Sequence, residues 1–205
     1  MLLLGPLLGC MPTTSYQAYD AAPAEPWQRQ VRYERSDALL REAPGCVVVQ
    51  PSEREAGTLG LAVEAALARG LTQRVGRVIL PLPRDRLLRE LALGLDSDQD
   101  RRWFAAATGC DAVLDWALTI DEKTYAVVWA HRAIGVEAAL RHVDGTLLWR
   151  ARHDAWRGDG GLPLGPIGAV TATVAAARVG ADPELVDSMA DDLARRLFAT
   201  LPDLR

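Results

Sequence analysis

The sequence predicts a mixed α/β (α+β) domain: a single mixed β-sheet with helices packed against it and a C-terminal helix. Three observations carry this reading. The β-branched run Val47–Val49 is followed by a helical pattern and then by a second short apolar run, "GRVILP", as strand–helix–strand units require. Asp144-Gly145 lies between two strand-like stretches and is the strongest short hairpin signal in the chain. Leu185, Met189, Leu193, Leu197 and Leu201 recur every four residues near the C-terminus, the stripe of an amphipathic helix.

Taken in order, "SDALLREAPG" reads as a short helix capped by Ser36 and stopped by Pro44-Gly45. "CVVVQP" is a buried strand. The next helix buries Leu59, Val63, Leu67 and Leu71, with Glu64, Arg69 and Arg74 off the stripe. "GRVILP" is a second strand, and "RDRLLRELALGL" a helix burying Leu87, Leu88, Leu91 and Leu95. A third helix has its N-cap among Ser97 and Asp98 and stops at Gly109. In "DAVLDWALTI", Leu114, Trp116, Leu118 and Ile120 share one strand face. "DEKT" is read as the turn that reverses the chain, and the returning strand carries Gly135 as a bulge marker. Pairing outward from Asp144-Gly145 sets Leu140 opposite Trp149 and Glu137 opposite Arg152. "GDGGLPLGPIG" is a glycine- and proline-rich loop, "AVTATVAAARVG" an apolar small-residue strip, and Asp182 with Pro183 opens the last helix.

Size and composition place the chain as one globular domain preceded by a leader. Its 205 residues allow one domain of about 150 beyond a leader and linker. A net charge of −4, with basic residues scattered among acidic ones, gives no footprint for nucleic acid. Apolar runs stay short of the roughly 20 residues that a membrane-spanning helix needs.

The N-terminus predicts an anchor. "LLGC" reads as a lipobox in which Gly9 precedes a Cys10 that becomes lipid-modified. The bland alternative is a Leu-rich start with a chance cysteine. Residues 1–9 are then a lipoprotein signal whose start lies upstream, 10–44 the lipidated cysteine and a flexible tether, and 45–205 the globular α/β domain. The tether reading rests on the Pro-, Ala-, Thr- and Gln-rich stretch after Cys10, which lacks an apolar period.

Cys46 and Cys110 remain. Each follows a glycine and opens a predicted strand. If those strands are parallel neighbours, their entries lie close enough for a disulfide. If the "GRVILP" strand lies between them, the cysteines stand about 10 Å apart and cannot bond. Two reduced core cysteines are the alternative.

The residues that carry chemistry form no set. His131, His142 and His153 follow no metal-ligand spacing. None of the serines lies in a nucleophile elbow. "DSDQD" (Asp96, Asp98, Asp100) opens like a calcium loop but has Arg101 and Ala107 where the glycine and distal Glu belong. No catalytic, cofactor or metal site is expected, and the chain is read as not an enzyme.

Three stretches resemble a superfamily of periplasmic lipoproteins that includes CsgG, PelC, LpoB and the N-terminal domain of TolB. They are the helix run Arg84 to Glu90, the strand entry Gly109 to Val113, and the hairpin Leu140 to Trp149, within about residues 45–200. The channel-forming branch builds a membrane barrel. Here "PIGAVTATVAAARVG" is too short to supply two barrel strands of about ten residues, so no channel is expected. The resemblance implies a lipid-anchored protein on the periplasmic face of the cell outer membrane. It would act as a non-enzymatic accessory or structural component of an envelope secretion or transport assembly, associating with itself or with envelope partners. A module that activates a partner enzyme such as a peptidoglycan synthase is the alternative. Ile167, Val170 and Val174 are the candidate oligomer contacts, since an apolar strip is costly to leave in water. Packing on the sheet is the competing role for the same strip.

Overall fold

A computed structural model describes residues 14–23, 29–126, 129–160 and 183–205. The strands are β1 (Ser15–Ala18), β2 (Gln30–Arg35), β3 (Val47–Val49), β4 (Val78–Ile79), β5 (Ala112–Ala126), β6 (Trp129–His142) and β7 (Leu147–Gly160). The helices are α1 (Ala38–Arg41), α2 (Gly57–Leu71), α3 (Pro81–Leu91), α4 (Asp98–Thr108) and α5 (Pro183–Phe198). The strands form one sheet in the order β1-β2-β7-β6-β5-β3-β4. It is mixed: β3 runs parallel to both β4 and β5, whereas β5, β6, β7 and β2 pair antiparallel in succession.

Strand alternation builds two cores on the two faces. On one face Val47, Val49, Leu114, Ile134, Val136, Leu140 and Trp149 pack with Leu59, Val63, Leu67 and Leu71 of α2 and with Met189, Leu193 and Leu197 of α5. Trp149 stacks on Phe198 with ring centroids 5.7 Å apart and donates its indole N–H to Thr200 at 3.0 Å. Each fully buried Leu or Val contributes roughly 1.5–3 kcal/mol. On the other face Val48, Ile79, Val113, Cys46 and Cys110 pack with Phe104 of α4 and with Leu95, and Leu87 and Leu88 of α3 lie against them.

Several expectations hold in atomic detail. Ser97 caps α4 by accepting from the Asp100 N–H at 3.1 Å, and Gly109 ends that helix at φ 69°. Gly145 takes φ 93° in the hairpin, and Leu140 faces Trp149 while Glu137 faces Arg152. The β5–β6 register shifts by one residue between Leu118 and Ile120, opposite Gly135. A side chain on Gly135 would collide with Thr119 and Asp154, so the bulge needs glycine for close approach.

Others need correction. The stretch after Cys10, read as a tether, supplies two strands: β1 pairs parallel with β2, and β2 pairs antiparallel with β7 from Val31–His153 to Arg35–Trp149. These two strands hold through ladder hydrogen bonds and one buried residue, Val31 on β2, which a composition reading does not register. "DEKT" is not the turn. Asp121 to Thr124 pair with Ile134 to His131, and the ladder continues to Ala126–Trp129, so the chain reverses later. Helix α3 ends at Leu91, where Ala92 turns left-handed at φ 52°. Leu91 is therefore exposed, while Leu95 is buried beyond the helix. Glu64 is buried rather than solvated. The N-cap of α1 is Asp37, not Ser36, whose N–H instead donates to the Leu148 carbonyl.

Candidate functional site

The sheet order decides the geometry of the cysteines. β4 lies on the outer side of β3, so β3 and β5 are direct neighbours, with Val47 beside Ala112. Cys46 and Cys110 stand at the entries of these strands with Cα atoms 4.6 Å apart and sulfurs at bonding distance. That separation falls within the range a disulfide spans. Both residues are buried. Asp111 steadies the entry, its carboxylate accepting from the N–H of Gly45 at 3.4 Å and of Cys46 at 3.3 Å.

The remaining predicted site residues are scattered or lie elsewhere. Cys10, Ile167, Val170 and Val174 lie outside the described residues, as does Asp182. His142 ends β6 beside Asp144, and His153 is buried on β7, its Nδ1 2.8 Å from the Gln30 carbonyl oxygen. Asp96, Asp98 and Asp100 do not converge as ligands. Asp96 accepts from Gln50 at 2.8 Å, Asp100 from the Gly94 N–H at 3.4 Å, and Asp98 opens α4, where an acidic residue suits the helix dipole. Among the described residues no three His, Cys, Asp or Glu side chains gather into a metal-binding group.

Two features had no signal strong enough to be read from the sequence. The first is a buried ion pair at the α2–α3 junction. Arg84 Nη2 lies 2.8 Å from Glu64 Oε1, Arg84 Nη1 donates to the Val49 carbonyl at 2.9 Å, and Glu64 Oε2 accepts from the Ser52 N–H at 2.6 Å. Both side chains are at most 3% exposed. The pair ties the exit of β3 to two helices on opposite faces of the sheet. The second feature is a set of exposed leucines close to this pair in the chain. Leu61 lies one helical turn before Glu64, and Leu80 and Leu82 lie within four residues of Arg84. These leucines are 61%, 43% and 83% exposed. Trp103 on α4 is also exposed.

On the sheet surface formed by β2, β6 and β7, several polar side chains pair with one another. Arg150 bonds Glu34 at 2.7 Å and lies 3.8 Å above the Tyr19 ring. Burial, reinforced by a hydrogen bond to Glu137, pushes the Tyr19 hydroxyl up to about 12. Among the described residues, Arg132 Nε on β6 and Arg152 Nε on β7 are buried on these strands without a hydrogen-bond partner.

Comparison with known proteins gives likenesses of fold at low identity. No protein-family model matches the chain, and no curated protein matches it. Among solved structures, the chain is similar to lipoprotein GNA1162 from Neisseria meningitidis, at 19% identity and a TM-score of 0.47, over 67% of this chain and 100% of that one. It is similar to PelC from Paraburkholderia phytofirmans, solved as a dodecamer, at 19% identity and a TM-score of 0.41, over 82% of this chain and 98% of that one. The hypothetical protein CT253 from Chlamydia trachomatis matches at 14% identity and a TM-score of 0.42, over 77% of this chain and 95% of that one.

Proposed function

We propose that the chain is an outer-membrane lipoprotein, anchored through Cys10 and facing the periplasm, that serves as a non-enzymatic structural or accessory component of an envelope secretion or transport assembly. The lipobox supports the anchor. The paired cysteines at the entries of β3 and β5 support an oxidising compartment, where disulfides form and persist.

The observation that carries the assembly role is the exposure of three leucines near the Glu64–Arg84 pair in the chain. Leu61, Leu80 and Leu82 are held out to solvent by helices that the buried Glu64–Arg84 pair fixes in place. Exposed large apolar side chains are where a protein–protein contact would sit. The contact we assign to them is with a second copy of the chain.

Native mass measurement of the detergent-solubilised lipoprotein tests the reading. A stable oligomer that Leu61→Glu with Leu82→Glu dissociates, without lowering the melting temperature, is the expected result. A monomer at all concentrations would remove the self-assembling role. An oligomer indifferent to both substitutions would remove this surface from it.

A further inference from the structure

A basic pocket and the start of the described chain meet at one place on the domain. The pocket, about 100 Å³, opens between β7 and α5. Arg29 before β2, Arg157 on β7 and Arg196 on α5 line it, together with His153 and Asp192. Among the described residues the guanidiniums of Arg29 and Arg157 have no hydrogen-bond or ion-pair partner. Arg196 donates from Nε to Asp192 at 2.7 Å and from Nη1 to the Thr14 hydroxyl.

The charges do not cancel. Burial pushes the Asp192 carboxyl up, but Arg196 and Arg195 outweigh it and hold it below the usual carboxylate range, so it is ionised at neutral pH. Burial keeps the His153 pKa low, and its Nδ1–H donates to the Gln30 carbonyl, so the ring adds no charge. Three arginines thus line a concavity that holds one carboxylate. The chain as a whole carries −4, so this surplus is local and not part of a general positive coat. Arginines lining one small cavity match an oxyanion, phosphate above all.

Position decides where that phosphate comes from. Thr14, bonded to Arg196, lies four residues after Cys10. Four residues span at most about 14 Å. A lipid on Cys10 would therefore keep this rim of the domain close to the headgroup layer. The cavity suits a single phosphate group better than a nucleotide or a glycan. We propose that the pocket of Arg29, Arg157 and Arg196 binds the phosphate of an anionic phospholipid headgroup and docks the domain against the membrane that carries its anchor. The proposal rests on the Cys10 reading for its placement, and on the pocket alone for its chemistry.

The test uses the full chain with Cys10→Ser, so that no acyl chain contributes, sedimented with vesicles. Phosphatidylglycerol in phosphatidylcholine should bind the protein, and phosphatidylcholine alone should not. Each basic residue near an anionic surface is worth about fivefold in binding. Arg29→Gln with Arg157→Gln should thus weaken binding about 25-fold, while Arg54→Gln, outside the pocket, leaves it unchanged. Melting curves establish that each variant is folded. The idea is overturned if the double variant binds within twofold of its parent, or if neutral vesicles bind equally well. It is also overturned if inorganic phosphate binds through these arginines while vesicles do not, because the ligand is then a soluble phosphate. Failure of palmitate to label the full precursor at Cys10 would remove the anchor reading and leave the vesicle result standing.

Discussion

Arg84→Met should cost the domain about 3–5 kcal/mol, and the reason is visible around the side chain. Removing the guanidinium leaves Glu64, 2% exposed, with the Ser52 N–H as donor and the Arg84 charge gone from beside it. Breaking a buried pair by deleting one partner carries a penalty of that size. The reverse change, Glu64→Met, should cost less, about 2–3 kcal/mol, because Arg84 keeps the Val49 carbonyl and donates twice to one Asp85 carboxylate oxygen at 2.6 and 2.9 Å. In the double variant no buried charge is stranded. Its cost falls to about 1–3 kcal/mol, the penalty for leaving the Val49 carbonyl and the Ser52 N–H unpaired. The two losses are thus strongly non-additive, and a double-mutant cycle isolates the coupling. Urea unfolding with linear extrapolation gives the free energies. For a domain of this size the Arg84→Met melting temperature should fall by about 6–20 °C. A loss under about 1 kcal/mol for Arg84→Met, or additive single losses, would refute the claim that this pair locks α2, α3 and the exit of β3 together.

Three further outcomes follow from named contacts. Replacing Cys46 and Cys110 with Ala should lower the stability of oxidised protein by about 4 kcal/mol, since the bridge would close a loop of 64 residues; a non-reducing peptide map in which both thiols alkylate freely would show that no bridge is there to lose. Gly135→Ala should destabilise by about 1–3 kcal/mol, because the added methyl meets Thr119, Asp154 and Ile120 across both neighbouring strands; an unchanged melting temperature would mean that the bulge yields freely. Burial depresses the His153 pKa in the fold, so between that value and about 6.5 the unfolded chain binds the extra proton. Stability should therefore be intact above about pH 6.5 and decline as the pH falls below it, and His153→Gln should flatten that decline; matching slopes in the two proteins would assign it to other groups.

Much of the fold was legible because it is written in local periods. The four-residue recurrence of Leu59, Val63, Leu67 and Leu71 needs only helical geometry to be read, and all four are buried. The Ser97 cap, the Gly109 stop and the Asp144-Gly145 turn depend on bonds within a few residues, so the sequence alone locates them. The pairs Leu140–Trp149 and Glu137–Arg152 follow from the turn by counting. Where a contact joins distant residues, local reading fails. Glu64 sits at a polar position of an amphipathic stripe, and nothing nearby says that α3 will deliver Arg84 to it. The polar stretches that form β1 and β2 lack a core pattern of their own and become strands because β7 offers an unpaired edge.

By itself, then, the sequence determined the element types, the hairpin register, the two core stripes and the cysteines' places at strand entries, since propensity, capping and hydrophobic period act over a few residues. Tertiary structure alone decided that β4 lies outside β3, which makes Cys46 and Cys110 neighbours instead of strangers about 10 Å apart. It also decided that Arg29, Arg157 and Arg196, more than a hundred residues apart at the extremes, share one pocket. Strand order and pocket composition are set by which apolar faces cover one another. That is a property of the whole chain, because burial free energy depends on the area removed from water and not on the sequence distance between the residues that remove it.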